Sequence, residues 1–426
     1  MKTQITTLSN GVRVLTDRMA AVETVTLGAW FDVGSRHESV ELNGVSHLLE
    51  HMMFKGTARR SAQQIAEVIE DVGGLLNAWT SRESTAYYAK VLKHDVPLAV
   101  DILSDILQHS TFDQGELTRE QAVVVQEINQ TEDTPDDIVF DYAQATAYPH
   151  QAIGRTVLGT PEGVTSITRA AMKGYMDRLY TADSLVIAAA GCLDHDAFVR
   201  QIEQAFTNLP RGVPTSPEKA VYRGGDCRIE RDLEQVQVVL AFDGVSYAHP
   251  TFYPAAVLST LLGGGMSSRL FQEVREKRGL AYSVYSALSA AVDSGLMTVY
   301  AGTGADEVAA LMPVMCDELC KVADGVTAQE LARARAQLKS GLLMGLESTS
   351  QRAETAARQI FIHGRTLEVA EMVEKIEAVD ARAIQDAARL IFSSRPTVTA
   401  LGPIHRMPTY DTICDALAQS YDVRVS

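Results

Sequence analysis

Apolar positions along the 426-residue chain fall into short strand-length runs and helix-period stretches, not into long uniform blocks. Leu27–Phe31 and Val238–Phe242 are compact apolar runs of strand length; Leu185–Gly191 and Pro396–Gly402 are two more, each closed by glycine. Leu75–Val91 alternates and is rich in Thr, Tyr, Trp and Ala, which predicts a turn and a strand. Gly115–Thr131 has no glycine or proline past its start. It predicts a helix with Ala122, Val123, Val125 and Ile128 on the apolar face. Another helix is expected over Asp194–Phe206. Beyond it, Leu209–Pro217 packs three prolines into a few residues and marks a boundary.

That boundary gives a first domain at 1–209, a linker at 210–220 and a second domain at 221–426. The halves look like distant repeats. Leu27–Phe31 and Val238–Phe242 are 211 positions apart, and Leu185–Gly191 and Pro396–Gly402 share that offset. Two matches at one offset indicate duplication.

The chemistry concentrates in His47-Leu48-Leu49-Glu50-His51. These residues follow the turn-like Asn43-Gly44 and end at Lys55-Gly56, so a short helix is expected. Residues four apart share a helix face, so both imidazoles project together, with Glu50 at the edge of that face. Leu48 and Leu49 point toward a core. Two imidazoles one turn apart with a carboxylate beside them are most of a catalytic zinc site plus a general base. The order is the inverted zincin pattern H-x-x-E-H. With His only 10 in 426, it is rare by composition. A third ligand is needed, and Glu120 and Glu127 share one face of the Gly115–Thr131 helix, two turns apart. At the 211 offset His47, Glu50, His51 and Glu127 fall on Leu258, Leu261, Leu262 and Leu338. The second half therefore carries the scaffold without the metal site.

The chain resembles the pitrilysin–insulysin zinc metallopeptidases over almost its whole length. Within them it is most similar to the β subunit of mitochondrial processing peptidase and its bacterial homologues. The stretches that carry this are Leu8–Asp17, His47–Thr57, Gly73–Val91, Val139–Tyr148 and Ile153–Gly159, with Glu127 standing 76 positions after His51. The resemblance and the duplication imply an α+β fold of two homologous domains, each a mostly antiparallel sheet flanked by helices. The resemblance implies His47, His51 and Glu127 as ligands of one Zn2+ per chain, Glu50 as general base, and Glu120 as the glutamate that steadies the ligands. It implies that Asn77 and Ala78 pair with an extended peptide, and that Arg275 and Tyr282 of the second half complete the active-site cleft, with Phe271 lining it. By chemistry, Arg275 would orient a substrate carbonyl and Tyr282 would hydrogen-bond an oxyanion; a surface arginine and a core tyrosine are the plain alternatives. Asp137 and Asp141 match positions that hold an arginine just before the cut. Four residues apart on a segment continuous with Glu127, they are expected near the metal; the alternative is a solvated helix start.

The implied activity is zinc-dependent endopeptidase action on short or unfolded peptides, next to a basic residue. The rival is a non-catalytic scaffold or partner subunit of a peptidase or respiratory complex, and such proteins usually lose a ligand or the base. At half the length of the four-domain relatives, the chain is expected to pair as a homodimer or with a homologous subunit. The net charge of −16 suits basic peptides and argues against nucleic acid. No apolar run reaches a membrane span. The first residues lack a basic-then-apolar leader, which favours a bacterial cytoplasm over a mitochondrial matrix. Five scattered cysteines argue against a disulfide framework. Cys316 and Cys320 are expected as small buried hydrophobes. Gly263-Gly264-Gly265 lacks the Lys-Ser/Thr of a phosphate loop, and a turn between helices is the better reading.

Overall fold

A computed structural model of the chain describes residues 3–212 and 216–421, so 213–215 of the expected linker lie outside the described residues. It contains two units, each built on one sheet. In the first, β1 (Gln4–Thr7), β2 (Arg13–Arg18), β3 (Thr24–Phe31), β4 (Leu75–Thr80), β5 (Thr85–Leu92) and β6 (Leu185–Gly191) lie in the order β1-β2-β6-β3-β5-β4. In the second, β7 (Gly225–Glu230), β8 (Gln235–Asp243), β9 (Ala281–Ala290), β10 (Gly295–Gly304) and β11 (Thr397–Gly402) lie in the order β7-β11-β8-β10-β9. Setting β1 aside, the two topologies are the same, as duplication requires. Each sheet has one parallel pairing, β2 with β6 and β7 with β11, and is otherwise antiparallel. Leu75–Val91 is a full hairpin, β4 and β5, where the sequence predicted one strand.

The helices that matter here are α1 (Val45–Met52), α2 (Gln114–Glu132), α3 (Pro135–Ala147), α4 (Phe252–Gly263), α5 (Val308–Asp324) and α6 (Thr349–His363). Their placement follows from the central strands, which are apolar on both faces. Along β3, Val25, Leu27, Ala29 and Phe31 enter the main core of the first unit. Trp30 faces the other way, with Leu15, Val186, Ala188 and Ala190. Side chains alternate along a strand, so both faces need cover. On the Trp30 face that cover is α6, through Ala353, Ala356, Ala357 and Ile360. In the second unit β8 sends Val238, Leu240 and Phe242 into the main core and Val239 and Ala241 against α3, where Ile138, Val139, Ala143 and Ala147 meet them.

The units are therefore not the two contiguous halves that the linker suggested. The first includes Leu343–Glu368 from late in the chain, and the second includes Thr131–Gly154 from early in it. The exchange also breaks the segment expected to run from Glu127 to Asp141. The α2 helix ends at Glu132, and α3 restarts at Pro135, whose ring fixes the first helical φ and has no N–H to continue the previous helix.

In the second unit Leu258, Leu261 and Leu262 are buried on α4, and Leu338 packs partly buried on the same core. Gly263 lies so close to β9 that a Cβ would sit 2.2 Å from Ser286 N, so the glycine run is a packing device. Cys316 and Cys320 are buried on α5, and burial pushes the Cys316 thiol up to about 12. Among the described residues no helix is long and apolar enough to cross a membrane.

Candidate metal centre

The α1 helix is set in place before its chemistry begins. Gly44 precedes it at φ 96, and a Cβ there would sit 2.7 Å from Leu158 O, so only glycine fits. Glycine offers no side-chain cap. The buried carboxylate of Glu38 supplies one instead: its oxygens accept from Gly44 N–H (2.8 Å), Ser46 N–H (2.7 Å) and Asn43 Nδ2 (2.9 Å). Burial pushes the Glu38 carboxyl up, against the pull of these bonds. Arg155 donates to the Glu38 carbonyl at 2.5 Å, which ties the Ile153–Gly159 stretch to the cap. Leu48 and Leu49 are fully buried, as expected, and this fixes the direction of His47, Glu50 and His51.

The buried face of α2 differs from the expected one. It consists of Leu117, Glu120, Gln121, Val124 and Ile128, while Ala122 and Val123 are exposed. Leu117, Val124 and Ile128 follow the helical period, whereas Ala122, Val123 and Val125 spread around the helix. Gln121 Nε2 donates to the carbonyls of Val164 and Ile167, each at 2.9 Å, which locks the rotation of α2. Glu120 and Glu127 then both meet the histidines. Glu127 Oε2 lies 3.6 Å from His47 Nε2 and 3.6 Å from His51 Nε2. Glu120 takes the other side, with its Oε2 3.0 Å from His51 Nδ1 and its Oε1 2.8 Å from Lys55 Nζ.

These contacts separate the two glutamates. A carboxylate only accepts, so His51 donates its Nδ1–H to Glu120, and Nε2 is the ring nitrogen turned toward Glu127. The 3.6 Å separations are too long for hydrogen bonds. They suit donors sharing one ion, since tetrahedral ligands about 2.0–2.1 Å from zinc stand roughly 3.4 Å apart. The ligand atoms of His47, His51 and Glu127 all lie within 4.8 Å of one another. Burial, then His51, lowers the pKa of His47 to about 4, so its imidazole is neutral and able to ligate at neutral pH. Two imidazoles and a carboxylate that is 38% exposed fit a zinc site open on one side.

Glu50 is held apart from this trio. Its Oε2 accepts from Thr80 Oγ1 at 2.5 Å, at the end of β4. Burial raises the Glu50 carboxyl; Thr80 and His51 pull it down and Glu127 adds to the rise. Among the described residues β4 is the outer strand of its sheet, with Asn77 and Ala78 paired to Tyr88 and Tyr87 on one side only.

In the second unit the structure brings Phe271, Arg275 and Tyr282 together. The guanidinium of Arg275 lies 4.8 Å from the Phe271 ring centre and 4.4 Å from that of Tyr282, held between two π faces. Asp136, Tyr285 and Tyr300 line the same hollow of about 320 Å³. Asp137 is exposed and Asp141 half-buried on α3, within the second unit. Lys55, Thr80 and Glu38 escaped the sequence reading. Lys55 stands in the motif but reads only as a helix stop, and nothing local marks the other two.

Comparison with known proteins agrees with this architecture. Residues 13–161 match the model described as Insulinase (Peptidase family M16), and residues 166–338 match that described as Peptidase M16 inactive domain. The chain is 39% identical over 405 residues to "Uncharacterized zinc protease YmxG" of Bacillus subtilis, covering 95% of this chain and 99% of that protein. It is 40% identical to "Probable mitochondrial-processing peptidase subunit beta, mitochondrial" of Arabidopsis thaliana, covering 96% of this chain and 80% of that one. In fold it is similar to a protease from Helicobacter pylori (TM-score 0.86, 22% identity, 94% of this chain and 99% of the other). It is equally similar to a chain of Complex III2 from Candida albicans (TM-score 0.86, 22% identity, 97% and 99%). The chain therefore belongs to peptidase family M16.

Proposed function

We propose that the protein is a zinc-dependent endopeptidase acting on short or unfolded peptides. The observation that carries this reading is the convergence of three ligand atoms within 4.8 Å, beside the carboxylate of Glu50, which shares a helix with His47 and His51 and lies outside that set. A scaffold has no use for such a set. In this reading His47, His51 and Glu127 hold the zinc ion, and Glu120, fixed by Lys55, keeps the His51 ring oriented. When bound, zinc supplies Lewis acidity, bringing the pKa of water toward about 7 and polarising a carbonyl. Glu50 takes the proton from the attacking water and passes it to the leaving amine. The open edge of β4 at Asn77 and Ala78 pairs with an extended peptide backbone, which tolerates many side chains.

Arg275 and Tyr282 take part in turnover, Arg275 orienting a substrate carbonyl and Tyr282 donating its phenol proton in a hydrogen bond to the developing oxyanion. Tyr282 is 73% exposed, so removing its hydroxyl leaves the core untouched. Tyr282→Phe is expected to lower kcat on the order of a hundredfold, the size of one lost oxyanion donor, with zinc content unchanged. Steady-state kinetics beside metal analysis checks this; unchanged kcat removes Tyr282 from the account.

Specificity is assigned to Asp137 and Asp141, one turn apart. A guanidinium bridging both gains about 1.5–3 kcal/mol per charge-assisted hydrogen bond when shielded from water, and lysine gains less because it lacks the planar fork. Cleavage is expected two residues after arginine in basic peptides. A peptide-library cleavage profile of the wild type and of the Asp137→Asn, Asp141→Asn double variant tests it. The double variant should lose the arginine preference yet still cut neutral peptides. A preference that survives in it, or is absent from the wild type, makes the acidic pair a solvated helix face.

A further inference from the structure

A single hydrogen bond ties Glu50 to a rigid anchor, and the donor is Thr80. Thr80 closes β4 and pairs with Thr85 at the head of β5. The turn beyond it is fastened on all sides. Ser81 N–H donates to Ser84 O at 2.8 Å, Ser35 N–H to Ser81 O at 3.1 Å, and Arg36 N–H to Arg82 O at 2.8 Å. The buried Arg36 guanidinium pairs with Glu83 at 2.7 Å, and Thr85 Oγ1 donates to Val33 O at 2.9 Å. Gly34 admits the turn, since a Cβ there would sit 2.3 Å from Ser81 O. Threonine is β-branched, so its χ1 is stiff and its hydroxyl is aimed by the backbone. That hydroxyl meets Glu50 Oε2 at 2.5 Å, the length of an O–H···O⁻ bond to a charged acceptor.

We propose that Thr80 is a positioning residue for the general base. It rests on the assignment of Glu50 as that base. Thr80 Oγ1–H occupies Glu50 Oε2 without transferring its proton and leaves Oε1 as the atom that receives the proton of the attacking water. Because Thr80 belongs to the strand whose open edge carries Asn77 and Ala78, a peptide paired there is registered against the base by the same backbone.

The test compares Thr80→Val, Thr80→Ala and Thr80→Ser in the full chain with a quenched-fluorescent arginine-containing peptide, measuring kcat, KM and bound zinc. Val and Ala both lack the hydroxyl and differ in packing. Both are expected to lose about tenfold to a hundredfold in kcat, the effect of one missing hydrogen bond to a charged group, with KM and zinc content at the wild-type level. Ser restores the hydroxyl and should recover most of the rate. Wild-type kcat in Val and Ala overturns the proposal, as does a loss confined to Ala, a Ser variant as slow as Val, or a fall in zinc that matches the fall in kcat. Glu50→Gln is run alongside. If it is fully active, the base assignment itself fails; if it is inactive while Thr80→Val is fully active, only the positioning role fails.

Discussion

His51→Ala is expected to purify with little or no zinc and to lose hydrolysis with it. His51 contributes the Nε2 that faces Glu127, and its ring is oriented through Nδ1 by the Glu120–Lys55 pair. Alanine removes both functions. A Lewis acid is worth several kcal/mol of transition-state stabilisation, so its loss corresponds to on the order of a thousandfold in rate. His47→Ala and Glu127→Ala should behave alike, since each removes one of the three donors. Emission spectrometry of the dialysed variants gives the metal content and circular dichroism the fold. A His51→Ala protein that is folded and fully zinc-loaded would place the metal elsewhere. The contrast lies at Glu120, which touches His51 but lies outside the set of three donors. Losing such an orienting group weakens metal affinity by about tenfold to a hundredfold.

Glu50→Gln should separate chemistry from metal binding. Glutamine keeps the shape of the side chain and can still accept the Thr80 hydrogen bond, but its amide cannot take a proton from water at neutral pH. Glu50 lies outside the trio whose ligand atoms cluster within 4.8 Å. The variant is therefore expected to hold zinc like the wild type while kcat falls by about a hundredfold to ten-thousandfold, the range for losing a general base. Zinc-loaded Glu50→Gln with wild-type turnover removes the mechanism and leaves only a metal site.

Much of this centre was legible in the sequence because it is local or periodic. His47, Glu50 and His51 sit within one helical turn and a half, so helix geometry alone places them together. Glu120 and Glu127 share a face by their seven-residue spacing. The strand pairs at one offset announced a duplication that the shared sheet order bears out. What stayed hidden depends on distant partners. Thr80 reaches Glu50 and Lys55 reaches Glu120 only after β4 and α2 have packed against α1. Glu38 caps a helix whose own N-cap is a glycine, so the usual Ser/Thr/Asp/Asn signal was missing at the cap position. The buried face of α2 differs from the one its apolar residues predict because it includes Glu120 and Gln121, polar residues with specific partners. The exchange of α3 and α6 between units was also out of reach. Apolar periodicity shows that a helix has a face to bury, but not which sheet receives it. The short break at Asp133-Thr134-Pro135 is legible in the sequence, since the residue before a proline is disfavoured in the helical region.

The central claim is that hydrolysis depends on one metal ion held by His47, His51 and Glu127. The most direct measurement is the zinc content of the wild-type protein together with its peptidase activity through a cycle of chelation and zinc return. The account predicts about one zinc per chain, activity that disappears as the metal is withdrawn, and recovery when zinc alone is restored. Peptide hydrolysis that persists in fully metal-free protein would contradict it.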